Sequence, residues 1–254
     1  MRPAQQTNAA VRERYGRLAR IYDWANLERL LYSRARARAI DLLELRPGAK
    51  VLDVACGTGV NFAPIEKRIG PSGCLVGVDL TPQMLGRARA RATRHDWHNV
   101  RLYQSDASQL STQRLEALGA LGPGEQFDAA LCTLGLSVIP DWERAWRATL
   151  SVVRMGGRVA VMDAGHPDTP GASGKVVAAR PFARVLSSVF AATSSRRPWE
   201  LVARDADSPV LERFTWGYVV AAAGQVRSST PARGAALVAT ATEQISELIG
   251  LLST

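Results

Sequence analysis

The stretch Val51-Leu52-Asp53-Val54-Ala55-Cys56-Gly57-Thr58-Gly59 decides how this chain is read. Its β-branched and apolar start reads as a buried strand, Lys50–Ala55. The glycines that follow let the backbone turn tightly and come close to a ligand. A helical stretch over 59–69 succeeds them. A loop between strand and helix lies at the carboxyl end of the strand, where open α/β sheets bind ligands. A dinucleotide site calls for G-x-G-x-x-G, with the pyrophosphate on the helix N-terminus. Here Gly57 and Gly59 lead into Asn61 and Phe62, and no third glycine fits. Asp53, directly under the loop, would repel a pyrophosphate. It suits a ligand that carries an ammonium group.

Outward from this stretch the chain alternates. Gly70-Pro71-Ser72-Gly73 is a turn, Cys74–Asp79 a second strand and Thr81–His95 a second helix. Val100–Gln104, Phe127–Thr133 and Gly157–Asp163 read as three more strands, with a helix over Asp141–Val153. Strands separated by helices imply βαβ crossovers and a parallel sheet. Val210–Phe214 and Tyr218–Ala223 are too close together to pair other than antiparallel. The stretch 175–193 reads as helical, and Pro198–Ala206 as a short helix. The expected organisation is an N-terminal helical cover over 1–46, an α/β domain over 47–224 and a loose tail over 225–254. The cover reads as one helix over 8–45, with Val11, Tyr15, Leu18 and Tyr22 on its apolar face and Pro47-Gly48 as its stop.

The net charge is +9, and nine arginines against three acids in the first forty residues carry two-thirds of it. Such a balance favours an acidic partner: an anionic membrane, an anionic substrate or nucleic acid. Three cysteines with no metal-ligand spacing, and an N-terminus without an apolar signal core, predict a reduced cytoplasmic protein without a metal. No segment of about 18 apolar residues is present to predict a transmembrane helix.

Further candidate ligand groups stand at the ends of the next strands. Asp79 closes the second strand, where a carboxylate can accept both hydroxyls of a ribose. Asp106, in Ser105-Asp106-Ala107, follows the third and can accept from an adenine amino group. Taken singly, a tight turn accounts for the glycines and a helix cap for either acid. Their joint order at three consecutive strand ends points to a nucleoside bearing an ammonium group and no phosphate.

Together with VGVDLTPQML at 76–85, FDAALCTLGLSVIPDWERA at 127–145 and MGGRVAVMD at 155–163, these pieces resemble the class I S-adenosylmethionine-dependent methyltransferases over roughly residues 10–224. The resemblance implies a doubly wound, Rossmann-like α/β fold. Its sheet is seven-stranded and mostly parallel, with the last strand antiparallel. It implies S-adenosylmethionine as cofactor, with S-adenosylhomocysteine as product. The methionine-side loop would be Asp53, Ala55, Cys56, Gly57, Thr58 and Gly59, where Ala55 replaces the family's first loop glycine. Asp79 would hold the ribose, Leu80 and Met84 would lie against the adenine, and Asp106 and Ala107 would meet its edge. Thr133 and Leu134 would form the floor beneath the sulfonium.

The acceptor is read from the covering segments. Tyr15-Gly-Arg-Leu-Ala-Arg-Ile-Tyr22-Asp23-Trp24 resembles the N-terminal segment of bacterial phosphatidylethanolamine N-methyltransferases and of quinone-biosynthesis C-methyltransferases. That resemblance implies Tyr15 or Tyr22 closing over the cofactor and serving catalysis; both also suit packing along the helix face. Arg196 and Arg197, in Arg-Arg-Pro-Trp, would suit a lipid phosphate. His166, after the fifth strand, falls near the expected substrate mouth. A basic amphipathic N-terminal helix would suit peripheral docking on the anionic inner leaflet, and a solvated helix face explains it equally. The leading expectation is therefore N-methylation of a phospholipid headgroup amine. The alternative is C-methylation of a prenyl quinone or another small molecule. A nucleic-acid substrate is disfavoured, because Thr133-Leu134-Gly135-Leu136 stands where amino-methylating members of that class carry a proline-aromatic motif.

Overall fold

The computed structural model describes residues 7–18, 31–165 and 196–227. The apolar, β-branched runs form one seven-stranded sheet in the order β3-β2-β1-β4-β5-β7-β6. Its strands are β1 (Lys50–Val54), β2 (Cys74–Asp79), β3 (Val100–Gln104), β4 (Phe127–Thr133), β5 (Val153–Ala164), β6 (Ala206–Phe214) and β7 (Val219–Val226). Strands β3, β2, β1, β4 and β5 are mutually parallel. β7 runs antiparallel to both β5 and β6. The last strand is thus the reversed one, as the sequence predicts.

The helices are α1 (Asn8–Leu18), α2 (Ser33–Asp41), α3 (Phe62–Ile69), α4 (Pro82–Arg94), α5 (Thr112–Ala117), α6 (Trp142–Ser151) and α7 (Pro198–Asp205). The sheet divides two cores. Leu52 and Val54 face the layer that holds Trp146 and Trp199. Val51, one pleat away, faces the layer of Ile40, Phe62, Ile65 and Ile69. Cover on both faces explains why β1, β2 and β4 read as continuous apolar runs. The strand order reverses between β1 and β4, which puts the ligand crevice of a doubly wound sheet outside their carboxyl ends.

Several local expectations are corrected. The described N-terminal helix is not continuous to residue 45. α2 ends at Asp41, and Glu44 adopts φ +50° as the chain turns toward β1. β5 begins at Val153 rather than Gly157, because Phe127 pairs with Val153 ahead of a register shift. β6 begins at Ala206, before Val210. β7 runs to Val226, into the stretch expected as tail. The expected helix at 175–193 and the remainder of the tail lie outside the described residues. The short α5 and a 3-10 turn at Ala107–Gln109 were not expected.

Candidate active site

A cleft of about 980 Å³, part of it open to solvent, lies over the carboxyl ends of β1, β2, β3 and β4. The loop after β1 forms its centre. Ala55, Gly57 and Gly59 all take positive φ, at +53°, +55° and +78°. At Gly59 a Cβ would stand 2.5 Å from the Phe62 ring, so only glycine fits without a shift. Cys56 N–H donates to the Val78 carbonyl at 3.0 Å, which ties the loop to β2.

Asp79 sits beside that loop. Its carboxylate accepts from the Gly57 N–H at 2.9 Å and from the Thr81 N–H at 2.8 Å. Burial pushes its pKa above the usual carboxylate range, against those two bonds. Asp106, after β3, caps the 3-10 turn by accepting from the Ser108 N–H and hydroxyl, each at 2.8 Å. Its other oxygen accepts from the Asn8 amide of α1 at 2.6 Å. The cap reading of Asp106 therefore holds, and the residue also lines the cleft. Asn8 and Val11 bring α1 onto the rim.

A buried polar network lies behind the glycine loop. The Arg36 guanidinium, from α2, donates through Nη1 to Asn61 Oδ1 at 2.7 Å and to Thr133 Oγ1 at 2.5 Å. Asn61 Nδ2 donates to Asp53 Oδ1 at 2.9 Å and to Thr133 Oγ1 at 3.1 Å. The other Asp53 oxygen is buried with no hydrogen-bond partner among the described residues. Burial raises the Asp53 pKa to about 7, while the Asn61 bond and the Arg36 charge pull it back.

The loop after β4 forms the remaining wall. Leu134 adopts φ +55°, and its N–H donates to the Met162 carbonyl at 2.7 Å. Gly135 follows in contact so close that a Cβ would lie 2.7 Å from Cys132 Sγ and 2.8 Å from Ala55 Cβ. Asp163, buried at the end of β5, accepts from the Ser137 N–H at 3.0 Å and its hydroxyl at 2.8 Å. Burial lifts Asp163 to about 6. Burial also pushes the Cys56 and Cys132 thiols well above their ordinary value, which leaves both protonated.

The predicted residues distribute as follows. Ala55, Cys56, Gly57, Thr58, Asp79, Leu80, Met84, Asp106, Ala107, Thr133 and Leu134 line one cleft. Asp53 and Gly59 support it from behind. Arg196 does not line it: the guanidinium donates to the carbonyls of Ser137 (3.3 Å), Ile139 (2.5 Å) and Pro140 (3.1 Å). Arg197 pairs with Glu200 at 3.1 Å, one helical turn away. Tyr22 and His166, and the side chain of Tyr15, lie outside the described residues. Arg36, Asn61 and Asp163 are additions. The sequence does carry a signal for Arg36. Tyr32, Ala35, Arg36, Ala39, Ile40 and Leu43 share the 3-4 spacing of a buried helix face, so Arg36 belongs to it while Arg34 is exposed.

The donor set fits S-adenosylmethionine. Among the described residues lining the cleft, the carboxylates are Asp79 and Asp106 and the one cation is Arg36. Two acids beside a turn suit nucleoside hydroxyls and amino groups and disfavour a pyrophosphate. Among the described residues no cluster of His, Cys, Asp and Glu could hold a metal. No described helix is long and apolar enough to cross a membrane.

Comparison with known proteins agrees. Solved structures with the same fold include a magnesium protoporphyrin IX methyltransferase from Synechocystis with bound SAH. It is 16% identical with TM-score 0.59, over 87% of this chain and 100% of that one. A SAM-dependent methyltransferase from Aquifex aeolicus is 14% identical with TM-score 0.53, over 84% of this chain and 98% of that one. In sequence, a demethylmenaquinone methyltransferase of Listeria monocytogenes is 31% identical over 141 residues, 56% of this chain and 55% of that protein. An aklanonic acid methyltransferase of Streptomyces is 31% identical over 123 residues, 48% of this chain and 51% of that protein. The chain spans about half the length of the curated relatives it matches. Residues 4–193 match the model of one family throughout, and the chain belongs to the ubiE/COQ5 methyltransferase family.

Proposed function

We propose that this protein is an S-adenosylmethionine-dependent methyltransferase that methylates a ring carbon of a quinol or a related electron-rich phenolic small molecule. The family match over residues 4–193 carries this reading. It reverses the order of the sequence expectation, which set phospholipid N-methylation first. The cleft supports the reversal. Its wall beyond the cofactor acids is apolar, made by Val11, Leu134, Val138, Ile139 and Pro140. The two arginines expected to bind a lipid phosphate are engaged with loop carbonyls and with Glu200.

When bound, S-adenosylmethionine supplies an activated methyl group on a sulfonium. The protein's task is then chiefly alignment and exclusion of water, for which a walled cleft with a hydrogen-bonded floor is suited. Asp79 holds the nucleoside, and Leu134 with Val138 and Ile139 faces a flat aromatic acceptor. A carbon nucleophile must be electron-rich, so the reduced ring is the substrate. The test uses a short-chain demethylated naphthoquinone with labelled cofactor, under dithionite and under air. Label fixed in carbon only in the reduced sample is expected. Equal labelling of the oxidised quinone, or none of either, contradicts the proposal.

A further inference from the structure

We propose that Asn8, at the start of α1, accepts a hydrogen bond from the 6-amino group of the cofactor's adenine, so that the N-terminal helix reads the purine together with Asp106. The inference rests on reading the cleft as the adenosylmethionine site. An asparagine at a helix start ordinarily caps it. Here Thr7 does so: its Oγ1 accepts from the Ala10 N–H at 3.3 Å and its carbonyl from the Val11 N–H at 3.1 Å. The Asn8 side chain is released from capping and bonds instead to Asp106, 98 residues further along the chain. Asn8 and Val11 stand one turn apart on α1, and both line the cleft. α1 packs on α4, which brings Met84 to the same cleft.

The chemistry of the Asn8–Asp106 pair fixes which way the amide faces. An ionised carboxylate only accepts. The atom that meets Asp106 Oδ2 at 2.6 Å is therefore the amide nitrogen, and the Asn8 oxygen is left as an acceptor. Among the described residues no donor meets that oxygen. Oδ1 and Nδ2 share one carbon, so a group that donates to Asp106 Oδ2 from the cleft also comes within reach of Asn8 Oδ1.

A 6-amino group carries two N–H donors. The first Asp106 oxygen already serves the N–H and the hydroxyl of Ser108. Its second oxygen keeps a lone pair beside the Asn8 bond and suits one of the two donors. Asn8 Oδ1 suits the other. An amide and an adenine edge are complementary in the same way when asparagine reads adenine in a nucleic acid. Asp106 is then also a positioning residue for Asn8, since its bond holds the amide in this orientation. A purine with a 6-oxo group would set an acceptor against two acceptors.

The test is calorimetric binding of two ligands to the full chain. One is S-adenosylhomocysteine. The other is its 6-deamino analogue, with hydrogen at C6 of the purine. Wild type should prefer the first, through Asp106 and Asn8 together. In Asn8→Ala the affinity for S-adenosylhomocysteine should fall about threefold to tenfold, the range for one neutral hydrogen bond. The analogue should stay within about twofold of its wild-type affinity. Asn8→Leu, which keeps the volume and removes the oxygen, should behave as Asn8→Ala. Unchanged affinity for both ligands overturns the proposal. An equal loss for both overturns it too, and leaves α1 as cover without a reading role. Tighter S-adenosylhomocysteine in the variants also overturns it, because Asn8 would then compete with adenine for Asp106. Equal affinity of wild type for the two ligands overturns it while the cofactor reading stands. Binding of neither by wild type removes the cofactor reading itself, and the proposal falls with it.

Discussion

Asp79 is the residue on which the cofactor reading turns, because its carboxylate both holds the glycine loop and faces the cleft. Asp79→Ala should weaken S-adenosylhomocysteine at least about tenfold by equilibrium dialysis, with the circular dichroism of the fold retained. Unchanged affinity would contradict the assignment. The buried acids make a second prediction. Burial raises Asp163 from 3.8 to about 6 and Asp53 to about 7. The folded state therefore holds protons that the unfolded chain has already released. The contribution of these groups to stability is complete below about pH 4 and is lost as pH rises through the folded values. For Asp163 that window runs from about 4 to about 6. Asp163→Asn should make the fall in thermal midpoint across it shallower than in wild type, and an identical slope would contradict the account. At this scale the sequence was only partly legible. Asp79 and Asp106 announce themselves by standing at strand ends. Arg36 was hidden among Arg34 and Arg38, and only its place on a buried helix face separates it. Asp163 ends a strand too, but nothing in sequence couples it to Ser137 across two elements.

Among the elements, the loop after β4 is held from two sides. Asp163 holds Ser137, and Arg196, in the lead-in to α7, gathers the carbonyls of Ser137, Ile139 and Pro140. Arg196 thus holds the segment whose Val138, Ile139 and Pro140 line the cleft, and on the proposed function it would act on the acceptor through them. Arg196→Met should raise the KM for the acceptor several-fold while the Kd of the cofactor stays within about twofold. A change confined to the cofactor would contradict this division. The strands were legible because two covered faces demand unbroken apolar runs. Their ends were less so, since the early start of β5 depends on Val153 finding Phe127 across a register shift. α5 escaped because a helix of six residues is too short to show a period. The stop of α2 at Asp41 escaped because the apolar pattern runs on through Leu42 and Leu43.

For the whole molecule, the reversed last strand and the reversal of order between β1 and β4 put the cleft where sequence placed it. The acceptor was less legible. The charge of +9 and the Arg-Arg-Pro-Trp segment suggested a lipid phosphate. Net charge reports a preference for acidic surroundings and does not say which cation lines a cleft. The structure commits Arg196 to loop carbonyls and Arg197 to Glu200, and the cleft wall beside them is apolar. The most direct measurement is transfer from labelled S-adenosylmethionine into a reduced bacterial lipid extract, with chromatographic separation and mass analysis of the labelled species. The account predicts label in the quinone fraction, one methyl heavier and bonded to carbon. Label on phosphatidylethanolamine as methylated amine, with the quinone fraction unlabelled, would contradict it.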